Sequence, residues 1–156
     1  MNQRSLLVLL SLLLLASTAT LPVFAADEAA KPKSAKPEET ELANAMSTLN
    51  GAWRKLRRQA ADPASNASSL ELVATIKVAA TKSATLAPDL ARDQPEANRA
   101  AFIAAYQKQM KEFLAALAKL EAAFTAGDNA GAGELIKNLG DLQRKGHKEY
   151  RRPESK

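Results

Sequence analysis

The sequence predicts an all-α protein, an antiparallel up-down-up-down four-helix bundle. Three observations predict it. Apolar residues recur at steps of three and four along four separate stretches, the spacing that lines one face of a helix. Breaks fall between those stretches at Asp62-Pro63, over Ala87–Pro95 and at Gly127, and joints this short leave successive helices antiparallel. Six glycines and seven prolines in an Ala/Leu/Lys/Glu-rich chain of 156 residues also argue against an all-β fold.

The elements follow in order. Met1-Asn2-Gln3-Arg4 is a short basic start, the apolar run Ser5–Val23 follows, and Val23-Phe24-Ala25 places small residues at −3 and −1 of a cut before Ala26. That pattern is a secretory signal peptide over 1–25. A membrane anchor is the competing reading, since the run is nearly long enough to span; Ser17-Thr18-Ala19-Thr20 and Pro22 favour cleavage. No second apolar run exists, so no membrane insertion is expected after cleavage. The mature chain then has about 131 residues, enough for one domain, with 21 basic and 17 acidic residues and a balance of +4. Residues 26–38 mix Ala, Lys, Glu and Pro without apolar periodicity and read as a disordered linker.

The bundle is expected over 39–153. Helix one, about 39–59, carries Leu42, Met46, Leu49, Trp53, Leu56 and Ala60 inward. Helix two is expected to start at Ser68, where Ser68-x-x-Glu71 has the form of a capping box, with Leu70, Val73, Ile76/Lys77 and Ala80 as its seam. Helix three, about 96–125, is the most regular, with Ile103, Tyr106, Met110, Phe113, Leu117, Leu120 and Phe124. Helix four, about 129–152, turns Leu135/Ile136, Leu139, Leu142, Gly146 and Tyr150 inward, and Pro153 ends it.

Composition limits the chemistry. The chain has no cysteine, which excludes disulfides, iron–sulfur clusters, thiol catalysis and covalent haem attachment. One histidine, His147, excludes multi-histidine zinc sites. Arg54-Lys55-Leu56-Arg57-Arg58 has the look of a nucleic-acid patch, but cations are favoured at a helix C-terminus and export removes nucleic acid as a partner. It reads as a solvated face.

Taken singly, His147 and Met46 are packing residues. Their heights are what join them. Met46 lies ~10 Å inside the start of helix one and His147 ~8 Å from the end of helix four. In an antiparallel bundle both therefore fall at one level of one end, on neighbouring helices. Neutral imidazole and thioether are a ligand pair for six-coordinate haem iron. Gly146 leaves room beside the histidine, and Arg151, one turn on, is placed to meet a haem propionate. The other methionine of the mature chain, Met110, falls ~21 Å along helix three if helices one and three start level. On that geometry height assigns the ligand role to Met46 and leaves Met110 in the core or the pocket wall.

Leu42-Ala43-Asn44-Ala45-Met46-Ser47-Thr48-Leu49-Asn50, together with His147-Lys148-Glu149-Tyr150-Arg151, resembles the cytochrome b562 family, and the resemblance covers residues 40–152. It implies a periplasmic electron carrier with one non-covalent haem b, Met46 and His147 as its axial ligands and Arg151 near the propionates. It also implies no enzyme activity, since protein fills both axial positions. The chain departs from the family pattern at several pocket positions. Gln143 stands where the family's best-known member has an arginine and its covalent relatives a cysteine. Tyr106 and Met110 replace expected phenylalanines, and Trp53 is larger than the expected aliphatic residue.

The partners implied are unidentified redox proteins, and a monomer is expected. Two other readings remain open at this point. One is a haem-free helical bundle that binds a partner, as a stress or chaperone-like protein. The other is a basic protein on anionic membranes, disfavoured because acidic residues such as Glu71, Glu112 and Glu134 are spread throughout.

Overall fold

A computed structural model of the chain describes residues 40–152. The signal peptide expected over 1–25 and the linker over 26–38 lie outside the described residues. The chain divides into Met1–Lys36 and Pro37–Lys156, and the bundle belongs to the second unit. Its four helices are α1 (Glu41–Gln59), α2 (Asn66–Ala84), α3 (Glu96–Thr125) and α4 (Asn129–Tyr150), with short 3-10 turns at Pro63–Ser65 and Asp89–Asp93.

Each boundary has a local cause. The N–H of Ala43 donates to Thr40 Oγ1, which caps α1, and the N–H of Gly131 donates to Asp128 Oδ1, which caps α4. α3 ends where Gly127 turns to φ +73°. There the N–H groups of Gly127 and Asp128 donate to the carbonyls of Phe124 and Ala123, a left-handed closing turn that suits glycine.

The start of α2 differs from expectation. Pro63 opens a 3-10 turn capped by Asp62, which takes hydrogen bonds from Ala64 N–H and the Ser65 hydroxyl. The chain therefore enters α2 at Asn66, and Ser68 is already inside the helix, its hydroxyl donating to the Ser65 carbonyl. The Ser68/Glu71 capping box does not form, because the Asp-Pro pair starts the turn earlier.

The helices pack in chain order, α1 on α2, α2 on α3 and α3 on α4. One apolar cluster joins them. Leu49, Trp53 and Leu56 of α1 meet Val73 and Ile76 of α2, the Phe113–Phe124 seam of α3 and Leu139 of α4. Leu56, Val73, Ile76, Leu117, Leu120 and Leu139 have no exposed surface. α2 contributes small groups, Ser69, Ala79, Ala80 and Ser83, all buried. The Tyr106 hydroxyl donates to the Ser83 carbonyl (3.1 Å), tying α3 to α2. Ile103 is only half-buried, and Gln109 joins the buried face of α3 instead.

At the end of the bundle where α1 finishes, Asn129 of α4 donates to the Ala60 carbonyl (3.0 Å) and pairs with Asn66. Among the described residues no helix is long and apolar enough to cross a membrane.

Candidate functional site

α1 and α4 approach each other less closely than helices adjacent in sequence do. A cavity of about 660 Å³ lies between them with α3 as its floor, within the size range of small-molecule and cofactor sites. One hydrogen bond crosses it and fixes the register: Gln143 Nε2 donates to Asn50 Oδ1 at 2.8 Å.

Residues four apart share a helix face. Met46 lies four before Asn50, and His147 four after Gln143. In antiparallel helices both steps run the same way, so Met46 and His147 face one another one turn, ~6 Å, beyond the Asn50–Gln143 bond. Both line the cavity and both are half-buried. Arg151 lines it as well, exposed and one further turn on. The three residues singled out in the sequence are thus brought to one cavity.

Burial, and after it the positive charge of Arg151, hold the His147 imidazole below its ordinary pKa of 6.5. The ring is neutral at neutral pH and keeps a lone pair to donate. Burial raises the Tyr106 phenol to about 12, so it stays protonated and holds its hydrogen bond to Ser83. Tyr150, also in the cavity wall, packs against Phe102 and Tyr106 with ring centroids 5.1 and 5.3 Å apart.

The floor is less simple. Met110 is buried and lines the same cavity. Its neighbour Gln109 donates to the Leu142 carbonyl at 3.4 Å, next to the Gln143 that reaches Asn50. Gln109 and Asn50 are therefore nearly level, and Met110, one residue past Gln109, lies about five residues from the Met46–His147 level, ~7.5 Å rather than the ~13 Å expected. The reason is that α3, with 30 residues against 19 in α1, overhangs the start of α1. Height separates the two methionines less than expected, and the wall each stands on separates them further.

Two buried polar atoms in the cavity residues, Trp53 Nε1 and Gln109 Oε1, have no partner among the described residues. A buried donor and a buried acceptor left open mark a wall built against something other than the chain's own side chains. Gly146 faces Gln109: an added Cβ would meet Gln109 Nε2 at 3.6 Å, so the gap has room for a methyl and little more.

The sequence reading missed Arg54 and Arg57. Both are exposed, as a solvated face requires, yet both also edge the cavity. The signal was available in the series Ala43, Ser47, Asn50, Arg54, Arg57, whose steps of four and three run along the flank of the α1 seam. Among the described residues no three His, Cys, Asp or Glu side chains gather into a metal-binding group.

No curated protein and no solved structure matches the chain. A family model described as Cytochrome b562 matches residues 41–151, which take in all four helices and end on Arg151. The chain belongs to the cytochrome b562 family.

Proposed function

We propose that this protein is a periplasmic electron carrier that holds one haem b, without covalent bonds, between Met46 and His147. Its family is one of haem-binding, electron-carrying helical bundles. The observation that carries the finer reading is the Asn50–Gln143 hydrogen bond, whose register sets a neutral imidazole opposite a thioether across one cleft.

The residues present fit the group. The cavity is large enough for a cofactor, its floor is Met110 and Phe113, and an arginine stands at its mouth. With no cysteine in the chain, attachment is non-covalent.

Haem supplies one-electron redox chemistry when bound. Everything else falls to the chain. His147 would hold the group through its imidazole nitrogen and Met46 through its thioether sulfur, a donor pair supplied wholly by the chain, which favours a carrier over an enzyme. Leu42, Leu49 and Phe113 exclude water and lower the local dielectric, the main levers on potential besides the ligands. Arg151 would pair with a carboxylate of the bound group, an ion pair favoured by the planar guanidinium. The periplasmic assignment rests on the signal-peptide pattern and on the family. Monomeric behaviour is supported by Val78 being the sole large apolar side chain fully on the surface among the described residues.

One absorption experiment tests the reading. Purified protein reconstituted with haem should be low-spin and six-coordinate, should take up carbon monoxide slowly or not at all, and should lose all haem to acid–acetone. A high-spin spectrum with rapid carbon monoxide uptake would remove Met46 as a ligand. Failure to take up haem would leave a haem-free, partner-binding bundle.

A further inference from the structure

Four arginines edge the cleft: Arg54 and Arg57 from α1, Arg151 and Arg152 from α4. Arg152 is committed to both carboxylate oxygens of Asp93 at 2.8 Å, and Arg151 is assigned above to a propionate. Arg54 and Arg57 are different. Both are exposed, and neither side chain makes a hydrogen bond or ion pair among the described residues. Arg58, one turn from Arg54, is in the same state.

Helix polarity accounts for only part of this cluster. Arg57 and Arg58 lie in the last turn of α1, where the dipole favours cations. Arg54 stands outside that turn, and it continues the line of Ser47 and Asn50 along the cleft. Unpaired guanidinium groups at the edge of a cavity raise a local positive potential that attracts and orients an anionic surface.

We propose that Arg54 and Arg57, with Arg58 beside them, are the docking surface for an acidic redox protein that exchanges electrons along the α1 edge of the cleft. The proposal rests on the haem-carrier reading for the purpose of docking, and not for the existence of the surface. The exchange is one electron out of the reduced carrier and one into the partner's oxidised centre, with no bond made or broken. A lipid surface is the less favoured occupant. Membrane-binding faces join cations to an apolar wedge, whereas the exposed Val78 is on α2, which contributes no residue to the cleft.

Plastocyanin, an acidic copper protein, serves as the probe. Stopped-flow oxidation of the reduced holoprotein by its cupric form should slow about fivefold in Arg54→Gln/Arg57→Gln at low ionic strength. Variant and wild type should converge near 0.5 M salt, where screening acts within a few Å. Amide shifts of the labelled protein titrated with cuprous plastocyanin should cluster at residues 54–58 whether or not haem is bound. Failure of the haem reading and failure of docking are thereby told apart. Lys108→Gln/Lys119→Gln removes the same charge from exposed α3 positions away from the cleft and should slow oxidation by less than twofold. An equal loss in that control, an amide map centred elsewhere, or an unchanged rate in the arginine variant each overturns the proposal. So does sedimentation with phosphatidylglycerol vesicles that the arginine variant loses, which would assign the surface to lipid.

Discussion

Leucine at each methionine in turn tests the site most directly. Met46 stands on α1 opposite the α4 face that carries His147, while Met110 stands on α3, about five residues (~7.5 Å) off that level. Both line the same cavity, so a bound iron has two thioethers within a small region and the protein must select one. The substitution itself is mild. Met→Leu conserves volume and costs less than about 1.5 kcal/mol even in a packed core. With a denaturant slope of about 1–3 kcal/mol per molar, the urea midpoint of either apoprotein should therefore move by no more than about 1.5 M. The haem-loaded proteins should diverge sharply. Met46→Leu removes a ligand and should become high-spin, with rapid carbon monoxide uptake. Met110→Leu removes only wall contact and should stay low-spin. Optical spectra in both oxidation states, beside urea titrations of both apoproteins, separate ligation from folding. A high-spin Met110→Leu with a low-spin Met46→Leu would refute the register argument, because α4 would then have to place His147 opposite α3.

Other outcomes follow from the same geometry. His147→Ala should lose haem affinity more severely than Met46→Leu, since imidazole is the stronger donor to ferric iron; equal retention on a desalting column would sink the assignment. In the apoprotein, burial lowers the His147 pKa below its ordinary 6.5, so the unfolded chain binds the proton more readily. This contribution to stability is intact above pH 6.5 and declines as pH falls through it. Urea titrations at pH 7.5 and 5 should accordingly show wild type losing more stability than His147→Gln. A double-mutant cycle on Asn50→Ala and Gln143→Ala should return a coupling of about 0.5–1.5 kcal/mol, and zero coupling would mean that the cross-cleft bond is absent in solution. Leu120→Ala, at a site with no exposed surface, should cost about 2–5 kcal/mol of folding stability, read by the same urea titration.

Much of the fold is legible in the sequence, because one periodicity governs it. The expected 96–125 for helix three is what forms, since Pro95 and Gly127 bound an unbroken seam. α2 is harder to read: alanines and serines carry its buried face, and a short polar side chain gives the same signal at a cap as in a core. The capping box is a plausible local motif that Asp62-Pro63, five to six residues before Ser68, overrides. Met46, His147 and Arg151 share a cavity because seam position and chain direction fix helix face and height. Met110 was misplaced in height because sequence gives a helix its length but not its offset against a neighbour. That offset is set by side-chain hydrogen bonds such as Gln109 to Leu142 and Gln143 to Asn50.

Those same two glutamines explain why the bundle has a cleft at all. At the end where α1 finishes, large apolar side chains close the core, with Leu56, Leu120, Phe124 and Leu139 buried together and Asn129 holding α4 to Ala60. Toward the other end the facing flanks of α1 and α4 carry Ala43, Ser47 and Asn50 against Gln143 and Gly146. None of these offers an apolar surface worth burying against its opposite, at ~25 cal/mol per Å². The Asn50–Gln143 bond joins the two helices across the cleft by polar side chains, and Gln109 holds α4 from the α3 side by its hydrogen bond to the Leu142 carbonyl. The opening therefore comes from where the large side chains stop, and Met46 and His147 lie in the turn just past that point.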